Sequence, residues 1–466
     1  MSEEEKKIPI IPVHKYNYYG DLIEQVYDIK NKKTLFLRYD KKKDEIIEMD
    51  YVEEKGKKYV PIIDQLLFKN VVILPSKAED YINEEELEED IRIFIETWLD
   101  ISPEHLQKAV WYVLLSWVID NLHTIPYLRA LGDYGTGKTR YLDVVGGICY
   151  KPMYVGGAVR SAPIYRIIDK WNGTALFDEF TLQKSDETED IIQILNNGYQ
   201  RGKPVLRCKE GSNSVIAFDP FGAKILATRN TFNDKALESR CITEILKVTD
   251  RKDMPIDLTE TFFKNREKLQ NKLLMYRFKN LDKMKIDETL KIDFGNIIPR
   301  IKQSFSPFVV LFQYNQERLN NFISYTKEYN KQVVEENASS FDGAIFNAYV
   351  ELMEKHEKEM QTNHLDDYNE PHITSSDIRS FLIDDGFKES LSAATIGRHL
   401  KALGFKTNAV KIGGKTKKIL KIDDNVYHSL ASRYVVTMVT DVTALRGYCN
   451  NNILSYNNNN IGDKNE

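Results

Sequence analysis

Leu131-Gly132-Asp133-Tyr134-Gly135-Thr136-Gly137-Lys138-Thr139 decides how the rest of this chain is read. The stretch fits G-x-x-x-x-G-K-[ST], a loop that holds phosphate. The apolar run Ile125-Pro126-Tyr127-Leu128-Arg129-Ala130 before it is a strand candidate, and Arg140-Tyr141-Leu142-Asp143-Val144-Val145 after it opens as a helix. Strand, glycine loop and helix are the context in which this motif works. Gly132, Gly135 and Gly137 lack Cβ, so the backbone can wrap closely round phosphate with its N–H groups turned inward. Asp133, Tyr134 and Thr136 fill the remaining loop positions. Lys138 is expected to reach the β- and γ-phosphates of a nucleotide, and the Thr139 hydroxyl to complete part of a Mg²⁺ shell. The helix N-terminus would add positive dipole to the same spot.

Three later stretches fit the same chemistry. Gly173-Thr174-Ala175-Leu176-Phe177-Asp178-Glu179-Phe180 reads as a buried parallel strand with two acids at its C-terminal end. That end of an α/β sheet is where ligands sit. Asp178 is expected to hold Mg²⁺ through water, and Glu179 to orient or deprotonate an attacking water. A strand running into a solvated acidic turn is the plain alternative. The position after the glycine loop, with one strand–helix unit between, favours the metal reading. Gly222-Ala223-Lys224-Ile225-Leu226-Ala227-Thr228-Arg229-Asn230 is another strand ending in polar groups, where Thr228 or Asn230 could meet the γ-phosphate or the water. Lys235-Ala236-Leu237-Glu238-Ser239-Arg240-Cys241 precedes a further strand, 242–246, and Arg240 there can point out of its own subunit. A guanidinium supplied in trans stabilises charge building on a transferring phosphoryl group.

These residues resemble the AAA+ ATPases of viral and plasmid replication, in particular helicase-like ATPases of mobile elements related to superfamily-three helicases and primase–helicases. The resemblance covers residues 127–246. It implies that 132–139 is a Walker A element, 175–179 a Walker B element, Thr228 with Asn230 sensor 1, and Arg240 an arginine finger. It also implies ATP and Mg²⁺ as cofactors, and a homo-oligomeric ring, hexameric by expectation. Sensor 2 would be Arg300, with Arg277 as the second choice. Relatives carry a hairpin before sensor 1 that grips nucleic acid. Here 203–209 and 214–218 are strand candidates around the turn cluster Glu210-Gly211-Ser212-Asn213. Arg201, Lys203, Arg207 and Lys209 give one arm a charge suited to phosphates. A solvated surface hairpin is the alternative.

Composition narrows the class. The chain has 466 residues, 42% hydrophobic and 29% charged, as expected of globular protein. A net charge of −5 argues against a chain that coats nucleic acid over its whole surface, but leaves room for a local basic patch. Cys149, Cys208, Cys241 and Cys449 lack C-x-x-C or Cys/His spacing, so neither a zinc site nor a disulfide scaffold is expected. The polar start Met1-Ser2-Glu3-Glu4-Glu5-Lys6-Lys7 is unlike a signal peptide, and the apolar run 109–119 falls short of the roughly 20 residues that span a bilayer. A cytoplasmic protein with reduced thiols and no membrane partner is the expectation.

The fold expected is α/β: a P-loop core with a parallel sheet at 125–250, after a β-rich region at 1–80 and a helical pair at 81–124. A helical lid at 251–335, a winged helix-turn-helix at 336–425 and a tail at 426–466 follow. Asn83 with Glu86, and Ser102 with Pro103, are helix-start signals in the pair. Every formally charged residue from Ser392 to Lys421 is positive: Arg398, Lys401, Lys406, Lys411, Lys415, Lys417, Lys418 and Lys421. That asymmetry suits a phosphate-binding face. Arg398 and His399 could reach base edges, with the wing lysines positioning the backbone. A winged helix used for protein contacts is the alternative. The Asn-rich end reads as disordered, and 435–442 has the alternation of a strand. The function expected is a DNA-dependent helicase, translocase or replication-initiation ATPase, with a primase as a possible further partner. An ATP-switched DNA-binding regulator is the rival, and a small-molecule P-loop kinase a more distant one.

Overall fold

The computed structural model describes residues 8–156, 160–178, 186–208, 214–287, 289–362, 372–387, 391–412 and 415–435. The chain divides into two compact units. One comprises Met1–Lys291 with Gln303–Leu319, the other Ile292–Lys302 with Asn320–Glu466.

The first unit opens with seven strands: β1 (Ile10–Val13), β2 (Lys15–Tyr18), β3 (Asp21–Asp28), β4 (Lys33–Asp40), β5 (Glu45–Met49), β6 (Val52–Glu54) and β7 (Lys57–Pro61). They form an antiparallel β2-β3-β4-β5 meander and a small β1-β7-β6 sheet. The turns follow local chemistry. Asp28 accepts the N–H groups of Lys30 and Asn31, and Gly20 supplies a φ of +92°. β3 is a strand that alternation does not reveal, because Glu24 and Gln25 are both buried in it.

A short helix α1 (Gln65–Phe68) leads to α2 (Glu84–Trp98) and α3 (Pro103–Trp117). Asn83 caps α2 through the Glu86 N–H at 2.8 Å, and Leu87, Ile91, Phe94, Ile95 and Trp98 are its buried stripe. Ser102 caps α3, with Pro103 at its first turn. α3 is buried on almost every side, and its Tyr112 hydroxyl bonds the carbonyls of Pro126 and Lys224 where two strands of the main sheet begin.

That sheet is built from β8 (Tyr127–Leu131), α4 (Lys138–Val144), β9 (Pro152–Val155), α5 (Ser161–Trp171), β10 (Thr174–Phe177), α6 (Asp186–Asn197), β11 (Val205–Cys208), β12 (Val215–Phe218), β13 (Lys224–Thr228), α7 (Lys235–Glu238) and β14 (Cys241–Ile245). β11 and β12 form a separate antiparallel hairpin. The other five strands are parallel, in the order β14-β8-β13-β10-β9. Having left β8, the chain crosses to the far edge and returns inward, so β8 lies between β13 and β14, the last two strands of the sheet. Such a reversal opens a crevice at the C-terminal strand ends. A core of Met153, Ile164, Ile168, Trp171, Phe177, Ile194, Leu195 and Tyr199 joins α5 and α6 to the sheet.

α8 (Glu260–Asn280) packs against α2 and α3. The segment 251–335, expected as one lid, falls partly in each unit. Its Lys- and Asn-rich α8 is buried through specific bonds: Gln270 to Gly147 O at 2.7 Å, and Asn271 Oδ1 to the N–H groups of Ser76 and Lys77.

The second unit contains the first turn of α9 (Pro299–Phe305), most of α10 (Gln316–Ala338), α11 (Phe341–Thr362), α12 (Ser375–Asp384), α13 (Ala393–Ala402), β15 (Lys406–Ile412), β16 (Lys415–Lys421) and α14 (Asp424–Tyr434). Thr374 and Asp377 make a capping box on α12, Ser392 caps α13, and Gly404 ends α13 at a φ of +98°. Ile345, Phe346, Ile378, Leu382, Ile396, Leu400, Phe405 and Leu420 share one core. Leu420 N–H bonds Ile373 O at 2.8 Å, which ties the β15–β16 ribbon to the segment before α12. α14 was not anticipated. The expected strand 435–442 (beyond Val435) and the Asn-rich end lie outside the described residues. Among the described residues no helix is long and apolar enough to cross a membrane.

Candidate functional site

The glycine loop leaves β8 and enters α4 at Lys138. Gly132 N–H bonds Thr228 O at 3.1 Å, joining the start of the loop to the end of β13. A Cβ on Gly132 would meet Thr136 Oγ1 at 2.5 Å and Leu246 O at 2.9 Å, so only glycine fits. Gly137 turns the chain at a φ of +90°. Lys138 is almost buried, and its ammonium donates to Asp133 O at 2.5 Å. Thr136 Oγ1 donates to the same carbonyl at 2.9 Å, and Asp133 Oδ1 takes the Tyr134 N–H.

β10 is buried throughout and ends at Phe177, level with Leu226 of β13 and Val155 of β9. Asp178 follows at the strand mouth. Thr139 Oγ1 donates to its Oδ2 at 3.0 Å. A hydroxyl and a carboxylate so close, on the edge of a glycine loop, make a donor set that suits a hard divalent cation. Glu179 lies outside the described residues. Thr228, at the end of β13 beside Leu131, is 1% exposed, and its hydroxyl has no hydrogen-bond partner among the described residues. A buried orphan hydroxyl next to the loop is one more group a phosphate or water could satisfy. Asn230 is exposed two residues on.

Arg240 stands at the other end of the sheet. Its carbonyl accepts the Tyr127 N–H at the start of β8, a full strand away from the loop, which is roughly 17 Å for five residues. Nη1 donates to Asn196 Oδ1 at 2.8 Å, and the guanidinium lies over Tyr199. Asn196 in turn donates to Asp234 at 3.0 Å, whose carboxyl the Leu237 backbone N–H holds below its usual range. Arg240 therefore cannot reach the glycine loop of its own chain.

Arg277, the second choice for sensor 2, is excluded. It is fully buried and committed to Glu24 Oε1 at 2.8 Å, Asp120 Oδ2 at 2.7 Å and Trp117 O at 2.7 Å. Arg300 opens α9 in the second unit.

The expected basic arm of the hairpin is partly spent. Arg201 donates to Leu122 O and Ile119 O and covers Phe221, so it anchors the hairpin base. Arg207 pairs with Asp190 at 3.1 Å over the Tyr165 ring. Lys203 is exposed, as are Leu206 and Val215, and Lys209 lies outside the described residues. Beneath the hairpin, Lys224 is completely buried and donates to the carbonyls of Pro220, Gly222 and Gly198 at 2.8, 3.0 and 3.3 Å. Burial pulls its ammonium down to about 7.

In the second unit Arg398 and Lys401 are exposed on α13. His399, expected beside them at the bases, is instead turned to α11. Its Nδ1 lies 2.6 Å from Asp342 Oδ1, and its ring stands edge-on to Phe341. Lys411, Lys417 and Lys418 are exposed on the ribbon, and Lys415 opens β16. The register pairs Val410 with Lys417 and Ala409 with Lys418, so those two lysines project from opposite faces.

Sequence reading missed the Arg229–Tyr134 contact, in which the guanidinium carbon sits 3.5 Å from the ring centroid. The signal was the unbroken polar run Thr228-Arg229-Asn230.

No family model matches the chain, and no curated protein matches it. Among solved structures, the apo C-terminal region of NrS-1 is similar at 11% identity and a TM-score of 0.36, covering 86% of this chain and 96% of that one. Its A form gives 12% identity and a TM-score of 0.36, covering 86% and 97%. A JCV helicase bound to a thiazolopyridine compound gives 13% identity and a TM-score of 0.26, covering 55% and 64%. Likenesses this loose carry no argument about function, which is left to the geometry of the site.

Proposed function

We propose that this chain is an AAA+-type ATPase that acts on DNA, as a helicase or translocase or as a replication-initiation ATPase of a mobile element. ATP with Mg²⁺ would be cleaved between copies of the chain in a ring. The single observation that carries this reading is the Thr139–Asp178 contact at 3.0 Å beside the glycine loop. When bound, Mg²⁺ supplies charge neutralisation on the phosphates, and Thr139 and Asp178 are the groups to hold it. Lys138 exchanges Asp133 O for phosphate oxygens. Glu179 orients the attacking water, with Thr228 and Asn230 hydrogen-bonding water or γ-phosphate. Arg240 serves the site of a neighbouring copy, since its own loop is out of reach. Arg300 is assigned to sensor 2.

DNA is assigned to two surfaces. α12, α13 and the β15–β16 ribbon have the order of a winged helix-turn-helix, with Arg398, Lys401, Lys411, Lys415, Lys417 and Lys418 directed to phosphates. Lys203 and Lys209 on the hairpin are the second set. The rival, an ATP-switched regulator without strand separation, draws on the same pocket and the same basic face. ATP turnover measured with and without single- and double-stranded DNA, alongside the mass of the nucleotide-bound particle, decides between them. DNA-stimulated turnover by a ring supports the helicase reading. Slow, unstimulated turnover by a dimer supports the regulator, and no turnover at all sinks both.

A further inference from the structure

Where the N-terminal strands meet the rest of the first unit, the chain buries more positive than negative charge. Glu24, Lys151 and Arg277 are all buried. Lys151 Nζ lies 2.6 Å from Glu24 and Arg277 Nε 2.8 Å from it. Arg277 also meets Asp120 at 2.7 Å, and Lys15 pairs with Asp120. Among the described residues, three cations of this cluster thus face two carboxylates. Burial pulls the Lys151 ammonium down only to about 8, so it keeps its proton at neutral pH. A buried charge left without a partner is costly. Lys151 turns toward His14, with Nζ 2.7 Å from Nδ1. An ammonium has only protons to give, so Nδ1 accepts and Nε2 carries the imidazole proton. Burial, and after it Lys151, hold His14 well below its ordinary value, so the ring is neutral.

His14 lines a cleft of about 760 Å³ between β1, the segment that follows β7 and the C-terminal end of α5. That volume suits a small organic molecule. Pro12, Val60, Ile62 and Ile63 give it apolar walls, and Lys15, Lys170 and Asn172 join His14 as its polar points. Among the described residues no carboxylate lines it. We propose that this cleft binds a small organic monoanion, an apolar body bearing one carboxylate, with its head on the Nε2–H of His14. One excess positive charge calls for one negative charge, and the walls call for the apolar body. The polar groups it meets already have partners. Lys15 holds Asp120, Lys170 holds Asp64 at 2.6 Å, and the His14 ring lies 5.9 Å from that of Trp171 and meets the Asn172 side chain. Asn172 Nδ2 is spent on the carbonyls of Ile168 and Asp169 at 3.4 and 3.2 Å, which leaves its Oδ1 for the imidazole. Binding therefore exchanges one neutral amide oxygen for a carboxylate oxygen, a charge-assisted bond. Lys151 precedes β9 and Asn172 precedes β10, so the cleft lies at the N-terminal strand ends. The glycine loop lies at the opposite, C-terminal ends, and the proposal stands apart from the ATPase reading.

The test is calorimetric titration of the full chain with octanoate, octanol and inorganic phosphate, in the unaltered protein and in its Asn172→Asp and Ile63→Glu forms. Octanoate is expected to bind about tenfold more tightly than octanol or phosphate. Asn172→Asp sets a fixed negative charge against the same N–H, in a left-handed backbone (φ +46°) that aspartate tolerates. It is expected to weaken octanoate about tenfold or more and to raise Tm, since it supplies the missing charge. Ile63 is 70% exposed, so Ile63→Glu leaves folding intact and is expected to weaken octanoate through a like charge on the wall. Excess ATP with Mg²⁺ is expected to leave octanoate bound. Equal affinity for octanoate and octanol, or no binding of octanoate at all, overturns the proposal. So does octanoate binding that Ile63→Glu does not change, or that ATP displaces. A lower Tm in Asn172→Asp would show that the cluster has no charge left to compensate, which overturns it even without a ligand.

Discussion

Thr139 lies in the first turn of α4 and Asp178 just beyond β10, and their contact at 3.0 Å is the residue-scale feature on which the proposed chemistry turns. Lys138→Ala is expected to remove ATP turnover, since Lys138 is almost buried at the start of α4 with its ammonium against the loop. Phosphate-release assays check this, and normal turnover would mean the pocket is misread. Glu179→Gln should still bind ATP but fail to release phosphate, because the metal-holding groups survive while the base is lost. Equilibrium nucleotide binding beside single-turnover kinetics distinguishes that outcome from simple loss of the site. Arg240→Ala should be inactive alone yet recover activity when mixed with Lys138→Ala subunits. Each defective copy then contributes what its neighbour lacks. An absence of recovery would place Arg240 outside the reaction.

Among the elements, the hairpin base offers the sharpest test. Lys224 fills three carbonyls at the point where the chain leaves α6 and returns from β12. Its folded pKa, about 7, lies below the unfolded value of about 10.4. Below pH 7 both states carry the proton, and the burial penalty is present in full. Between pH 7 and about 10 the unfolded chain binds more protons than the folded one, so stability rises with pH across that window. Lys224→Met should abolish this rise and, by stranding the carbonyls, cost about 1–3 kcal/mol. Urea melts at pH 6.5 and 9.5 compare the two proteins, and an unchanged pH slope would refute the account. α8 teaches a related lesson: a polar helix can be core when each polar group has a named partner.

Across the whole molecule, buried charge ties the N-terminal strands to the segment that enters the five-stranded parallel sheet and to α8. Glu24 in β3 meets Lys151 at 2.6 Å and Arg277 at 2.8 Å, while Tyr150 donates to it at 2.9 Å. The two cations hold its carboxyl below the usual range. Glu24→Gln takes the carboxylate from buried Lys151 and leaves Arg277 paired with Asp120, and a loss of about 3–5 kcal/mol is expected. Thermal and urea unfolding measure it. In the second unit, Lys417 and Lys418 changed together to Glu should weaken DNA binding and flatten its salt dependence, read by anisotropy at several salt concentrations. An unaltered slope would remove the ribbon from the DNA-binding surface.

Local chemistry made much of this legible from the chain alone. The glycine loop, the apolar strands on either side, the caps at Asn83, Ser102 and Ser392, and the lysine-rich ribbon each follow from neighbouring residues, since loop conformation, helix starts and hairpin turns are short-range. What only the tertiary structure decided depends on partners far along the chain. β3 conceals Glu24 because its cations lie at 151 and 277. α8 looks solvated because its hydrogen-bond partners lie near 76 and 147. His399 leaves the expected basic face because Asp342 is packed beside it, and Arg240 faces away from its own loop because of where β14 joins the sheet. Burial of a polar group is favourable only once its partner has arrived, and no local pattern of residues announces that arrival.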